Sequence, residues 1–327
     1  MKNGVKKMRF YVLLCCVTAA ALVLVPAITL PNGFAPVPEE TSTRKEETVT
    51  VFLNAEEASV TLPMTEYLVG AVSAEMPAAY HPQALMAQAV ACHTYALYRK
   101  AQEVKSPTAS LGGADLSDNP EMHQGYLSEA DRREKWGDAF TENENKMRSA
   151  VESVQTLIMT YEGEPICASF FSVSAGQTES SLTVFGDDLP YLQPAASDAD
   201  LLSPDCEHTV LFSDSEFTEA AQSLGDISLG DDPDDWIGEQ KTTDSGFVKE
   251  ITVGGKTVSG NVFRRAFSLR SAVFTVTHTD SGFRIRTKGH GHLVGMSQYG
   301  ANAMAQSGAD YRRILQHYYT GVTITSE

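Results

Sequence analysis

Residues 64–99, MTEYLVGAVSAEMPAAYHPQALMAQAVACHTYALYR, decide how this chain folds. Two helices are expected there, separated by a break. Pro77 keeps Met76 out of α geometry and ends any helix running from Thr65. Pro82 suits the first turn of the next helix, where its missing N–H costs little. Beyond it Leu85, Ala89, Cys92 and Ala96 recur at helical spacing. Leu85, Gln88 and Cys92 lie on one side, three and four residues apart. Glu75, at Glu75-Met76-Pro77, therefore sits beside the break and not on a smooth solvated face. A chain can present one side chain into a cleft at such a place.

The 327 residues allow one large or two medium domains, and the apolar fraction of 42% is ordinary for a globular core. The formal net charge is −17. Residues 1–30 hold Lys2, Lys6, Lys7 and Arg9 and no acid, so the remaining chain is more acidic still. Such a body excludes a nucleic-acid binder, which needs a basic footprint. It offers anionic lipids and polymers no general attraction.

Four basic residues followed by an uncharged run over 10–30 read as a membrane anchor, long enough for a span of roughly 20 residues. The flanking charge places residues 1–9 in the cytoplasm and the rest of the chain outside. A cleaved signal peptide is the competing reading. Residues 31–48, rich in Pro, Thr and Glu, read as a linker to a domain over 49–327 of one or two lobes. The three cysteines outside the anchor, Cys92, Cys167 and Cys206, are too few for a disulfide framework. One bridge or three free thiols both fit.

Further along, 49–53 and 59–62 alternate like a hairpin, and 112–124 is a polar loop. Helices are expected over 128–136, with Ser128 as N-cap, and over 142–153. Strands are expected at 156–161 and 165–172, then a hairpin about Gly254-Gly255, a short helix over 260–271 and strands at 273–277 and 283–288. Acidic residues obscure any period over 198–247; the run Asp231-Asp232-Pro233-Asp234-Asp235 has no calcium-ligand spacing and reads as a solvated loop.

A second informative segment starts at Lys288. Its glycines suggest tight backbone and close approach to a ligand. His290 and His292 would point to the same side of an extended chain. Ser297 should cap a helix running to Gln306, with Gly308 beyond its end. Asp310 should cap another over 311–318, and 320–325 should return as a strand.

These two segments together resemble the stage II sporulation protein D family. Glu75-Met76-Pro77, residues 87–96 (AQAVACHTYA) and residues 289–301 (GHGHLVGMSQYGA) carry the resemblance. Tyr126, Trp136-Gly137, 171–178 and Pro190-Tyr191-Leu192 are weaker matches. The resemblance implies an α+β fold, helices mixed with antiparallel strands around a glycan-binding groove, behind an N-terminal transmembrane helix in the cell membrane. It implies a lytic transglycosylase of sporulation, cutting peptide-stripped peptidoglycan strands between N-acetylmuramic acid and N-acetylglucosamine during engulfment. The product ends in a 1,6-anhydro sugar. The implied partners are the glycan strand, an amidase and a membrane tether protein; no cofactor is implied. A non-catalytic amidase enhancer or a glycan-binding cell-wall protein of the same family is the alternative, and a metal-dependent hydrolase built on His290 and His292 a further one.

Two carboxylates flank the bond in ordinary glycosidases, whereas a lytic transglycosylase needs one. Glu75 is the candidate acid, provided that burial raises its pKa. Gln88, Ser172, Ser174, His290, His292, Gln298 and Tyr299 are candidate substrate contacts or supports. His93 stands where the family commonly has Arg, and Ser117 and His123 stand where some relatives bind zinc through Cys. One His without a Cys partner makes no zinc site, and no metal is expected.

Overall fold

The computed structural model describes residues 47–326. The expected cytoplasmic tail, anchor and nearly all of the linker lie outside the described residues. No helix among the described residues is long and apolar enough to cross a membrane.

The chain enters through a hairpin. Strands β1 (Thr48–Leu53) and β2 (Ala58–Pro63) pair antiparallel, and Val49 and Val51 point into the core. Helix α1 (Met64–Glu75) follows directly, and Met76 is extended (φ −118°, ψ 142°), as Pro77 demands. Helix α2 (Pro82–Lys105) begins with Pro82 in its first turn, and His81 Nδ1 accepts from Gln83 N–H at 3.2 Å as its cap. A short strand β3 (Leu116–Ser117) lies parallel to β1. Helix α3 (Glu129–Trp136) opens with the capping box of Ser128 and Asp131, and α4 (Phe140–Glu152) packs back against α1 and α2.

Strands β4 (Leu157–Tyr161) and β5 (Glu164–Pro165) pair antiparallel across a tight turn. The pairing stops early: β6 (Phe170–Phe171) leaves β4 and lies parallel to a distant strand near 296. The expected 165–172 strand is thus two pieces serving two sheets. After helix α5 (Ser181–Phe185) the acidic region proves to be ordered. It contains β7 (Glu207–Phe212), α6 (Asp214–Gln222), capped by Ser213 and Glu216, and β8 (Ile237–Thr242). Then come β9 (Val248–Val253), β10 (Lys256–Ser259), α7 (Gly260–Ala266), β11 (Phe274–Thr279) and β12 (Gly282–Lys288). The chain closes with β13 (Met296–Ser297), α8 (Gln298–Gln306), α9 (Tyr311–Tyr318) and β14 (Thr323–Ser326), which returns to β4.

The result is α+β, mostly antiparallel, with parallel pairs only at β1–β3 and β6–β13 among the described strands. α2 is the axis of the first hydrophobic cluster and touches α1, α4, α8, α9 and β4. Five of its eleven buried residues are alanine, which lets these neighbours approach closely. A second cluster is aromatic: Phe217 stacks on Phe283 at 3.9 Å between centroids, and Phe263 on Phe267 at 4.2 Å. It fills the space between α6, α7 and the sheets β10–β9–β8 and β11–β12–β7. A smaller cluster of Phe171, Phe247, Ala272, Val273 and Leu293 forms where β12 gives way to the glycine segment.

A polar network has a buried centre. Arg132 Nε and Nη2 donate to both carboxylate oxygens of Glu144, at 2.8 and 3.1 Å, and Nη1 donates to Leu127 O at 2.8 Å. Arg148 joins Glu144 to Glu66 on α1. The network fixes α3 and α4 to α1 and pins the backbone at Leu127. Arg132→Ala strands the Glu144 carboxylate beside one remaining cation, and should lower unfolding free energy by about 3 kcal/mol. Denaturant titration checks this; a midpoint unchanged from wild type would contradict it.

Candidate active site

Glu75 is the last residue of α1, so its side chain leaves a terminal turn instead of lying along a helix face. Its carboxylate accepts from Gly125 N–H at 2.7 Å (Oε1) and from Gln298 Nε2 at 3.4 Å (Oε2). Residues 75, 125 and 298 thus meet from three separate parts of the chain. Glu75 is half-buried. Burial pushes its carboxyl above the usual carboxylate range, and the Gly125 amide, Gln298 and the Lys135 ammonium pull the other way without cancelling the shift. The C-terminal end of α1 adds a negative dipole, which also disfavours the anion. No other carboxylate is among the described groups that act on Glu75.

Each arm of this arrangement is held from outside. Gln124 Nε2 donates to the Tyr67 hydroxyl and, at 3.2 Å, to Cys92 O. Leu127 N–H donates to Gly70 O at 3.3 Å, and the rings of Tyr126 and Tyr67 stack at 5.9 Å. Gly125 packs closely here: a Cβ would lie 3.1 Å from Ala74 Cβ and 3.2 Å from Glu75 Oε1, so one of them would have to give by a few tenths of an ångström. The 76–81 loop is tied by Lys146 Nζ donating to Ala78 O (2.6 Å) and by His81 N–H donating to Asn302 Oδ1 on α8 (2.8 Å). Gln298 opens α8 behind the Ser297 cap, whose Oγ accepts from Gly300 N–H. Ser172 O accepts from Tyr299 N–H at 3.1 Å, so the β6–β13 pair sets the height of that helix.

Of the sequence candidates, Gln298 reaches Glu75. Gln88 is buried on α2 and donates to Cys92 Sγ at 3.3 Å; its side chain serves the core. Ser172 contributes its backbone. Ser174 is buried and shapes a turn: its Oγ accepts from Gly176 N–H at 3.1 Å, and its own N–H donates to Asp200 Oδ2 at 2.7 Å. Tyr299 is half-buried and close enough to Tyr80 to raise that phenol's pKa, secondary to burial.

The two histidines do not share a side of an extended segment. Gly291 takes φ +113° and turns the chain between them. His290 is exposed and pairs with Val173 through backbone hydrogen bonds of 2.7 and 3.1 Å. His292 lies between the rings of Phe171 and Phe185, at 5.7 and 5.3 Å, and burial pushes its imidazole down to about 4. It is neutral at physiological pH. Neither imidazole hydrogen-bonds to Glu75.

His93 is buried; Nδ1 contacts Leu157 O at 3.1 Å and Nε2 contacts Glu47 Oε2 at 3.5 Å, tying α2 to β4 and to residue 47. His123 Nδ1 accepts from Ser117 N–H at 3.0 Å, and burial pushes it down to about 4. Cys92, Cys167 and Cys206 are free thiols. Among the described residues no three His, Cys, Asp or Glu side chains converge as metal ligands would. An open cavity of about 590 Å³ lies between Ser197, Gly300, Met304 and His317; Glu75 and Gln298 are not in its wall. Glu75 is singled out by its own geometry and not by cavity size.

Gly125 and Lys135 were not legible as residues that act on Glu75, nor Asp200 as the support of the 172–174 turn. Gly125 follows a polar loop, and a glycine at the end of a loop has many explanations. Asp200, fully buried beneath the 172–174 turn, is hidden in an acidic region where one aspartate resembles another.

A family model described as stage II sporulation protein (SpoIID) matches residues 54–161. Stage II sporulation protein D of Bacillus amyloliquefaciens is 36% identical over 288 residues, covering 88% of this chain and 81% of that protein. Its counterpart in Bacillus subtilis is 34% identical over 290 residues, with the same coverage. A Bacillus subtilis protein named Amidase enhancer is 26% identical over 311 residues, covering 79% of this chain and 40% of its own length.

Gln298→Leu removes one donor to the carboxylate, so the Glu75 pKa should rise further. NMR titration of the side-chain carboxyl checks this; an unchanged or lower pKa would show that Gln298 does not act on Glu75. A stability signature follows from the same shift. Between the unfolded pKa and the raised folded pKa the native state binds more protons, so stability falls as pH rises through that window. Glu75→Gln should remove this fall, which thermal melts at several pH values between 4 and 8 would reveal.

Proposed function

The chain belongs to the stage II sporulation protein D family, and from that premise we propose that it is a lytic transglycosylase of peptidoglycan with Glu75 as its acid. The observation that carries the proposal is the lone, half-buried carboxyl of Glu75, raised by burial and oriented by Gly125 N–H. A raised pKa keeps a fraction protonated where an exposed glutamate is fully ionised. The proton passes from Glu75 to the glycosidic oxygen as its bond to C1 of N-acetylmuramic acid breaks. The 6-hydroxyl of the same sugar then bonds to C1, and its proton returns to the carboxylate. No water is consumed and one carboxyl serves both steps. Gln298 would steady the carboxylate between them.

The substrate is a glycan strand freed of its peptides, cut outside the membrane in sporulation. An amidase that removes the peptides and a membrane tether are the expected partners, with residues 10–30 as the anchor. The second reading is a regulator of an amidase without cleavage, favoured by the relative named Amidase enhancer.

Incubation of the purified protein with peptide-free glycan strands, followed by mass spectrometry, separates them. Anhydro-ended fragments are expected, and Glu75→Gln should slow their release roughly 10²–10⁴-fold. The rate should fall as pH rises through the raised pKa of Glu75. Undiminished cleavage by Glu75→Gln would remove Glu75 as the acid. Tight glycan or amidase binding without cleavage by wild type would favour the regulator.

A further inference from the structure

The outward face of the sheet β11–β12–β7 carries a row of cations, only one of which faces an acid among the described residues. Arg284, Arg286 and Lys288 alternate along the central strand β12, and all three are exposed. Alternate strand residues stand about 6.8 Å apart on one face, so the three charges form a line. Their cross-strand neighbours are Thr277 and Leu211 beside Arg284, and Thr275 and Thr209 beside Arg286. Arg284 and Arg286 have no acidic partner among the described residues. Lys288 alone has one, Glu207 at 3.5 Å. In a chain of formal charge −17, a cationic row with one acid beside it is a departure that neither the fold nor the site at Glu75 requires. The interior face of β12, with Phe283 and Ile285, does the packing; the exposed positions are free to take other residues.

We propose that this row is a second binding surface for the glycan strand, through the carboxylates left on N-acetylmuramic acid when its peptides are removed. The proposal rests on the reading of the chain as a protein of peptide-free glycan. Guanidinium groups match carboxylates through paired hydrogen bonds. The flanking threonine hydroxyls suit a hydroxyl-rich polymer, whereas an anionic membrane would favour more apolar surface than the single exposed Leu211. The strand also points towards the site in sequence: Lys288 is followed by Gly289, His290 and the segment that delivers Gln298. A polymer held on the row would stay tethered while Glu75 acts, and in a strand whose peptides remain attached the carboxyl next to each sugar is an amide, so any remaining carboxylates lie farther out along the peptide and not on the glycan that the row reads.

The test is binding in the Glu75→Gln background, so that the glycan stays intact. Full-length protein would be titrated with peptide-free glycan, with the same glycan after amidation of its carboxyl groups, with a glycerol-phosphate polymer and with vesicles containing anionic lipid. The triple variant Arg284→Ser, Arg286→Ser, Lys288→Ser should bind peptide-free glycan roughly tenfold more weakly. Amidation should produce the same loss in the parent and no further loss in the triple variant. Its melting temperature verifies that the fold is intact, and the single variant Arg286→Ser should give an intermediate loss. Equal binding of native and amidated glycan, or a triple variant that loses only the phosphate polymer or the vesicles, would overturn the proposal. Absence of cleavage by wild type, with carboxylate-dependent binding preserved, would overturn the transglycosylase reading and leave this one standing.

Discussion

The hydrogen bond from Gly125 N–H to Glu75 Oε1 is the constraint on which the site depends. It joins the C-terminal end of α1 to the backbone that precedes α3, two parts of the chain fifty residues apart. The bond is served by the close approach that Gly125 allows, by Leu127 being held by Arg132 and Gly70, and by α1 stopping at Glu75. The buried Arg132–Glu144 pair, remote from the carboxylate in chemistry, therefore belongs to the site in mechanics. Opposed effects meet at Glu75: burial and the helix end raise its pKa, while an amide donor limits the rise. A carboxyl poised in this way can give up a proton and take one back.

Much of the first hydrophobic cluster was legible because its signals are local. Pro77 and Pro82 mark the two helix boundaries by steric necessity, and Ser128, Ser297 and Asp310 mark theirs by capping chemistry. Glu75 was legible as a residue beside a break, and Gln298 as the first residue after a cap. The donor that orients Glu75 was not, because a backbone N–H leaves no trace in the residue type. The pairing of Phe170–Phe171 with Met296–Ser297 was also hidden: a two-residue parallel contact across more than a hundred residues has no periodicity. Residues 207–242 were obscured by charge, although Ser213 and Glu216 form the same kind of capping box that was read at Ser128. The His290–His292 pairing failed for a specific reason. Side-chain alternation presumes extended backbone, and Gly291 breaks it.

The two large hydrophobic clusters divide the labour. The alanine-rich packing around α2 brings α1 and α8 close enough for Glu75 and Gln298 to meet. The aromatic cluster stiffens a pair of sheets whose outer faces stay exposed. The Glu75 carboxyl and the exposed cations of β12 thus occupy different supports, linked by the glycine segment between β12 and α8.

We propose that one carboxyl acts with the sugar's own 6-hydroxyl and without water. Cleavage of peptide-free glycan in oxygen-18 water tests it most directly. The account predicts new glycan ends that carry no oxygen-18. Incorporation of one oxygen-18 atom at each new reducing end would contradict it and make the reaction a hydrolysis.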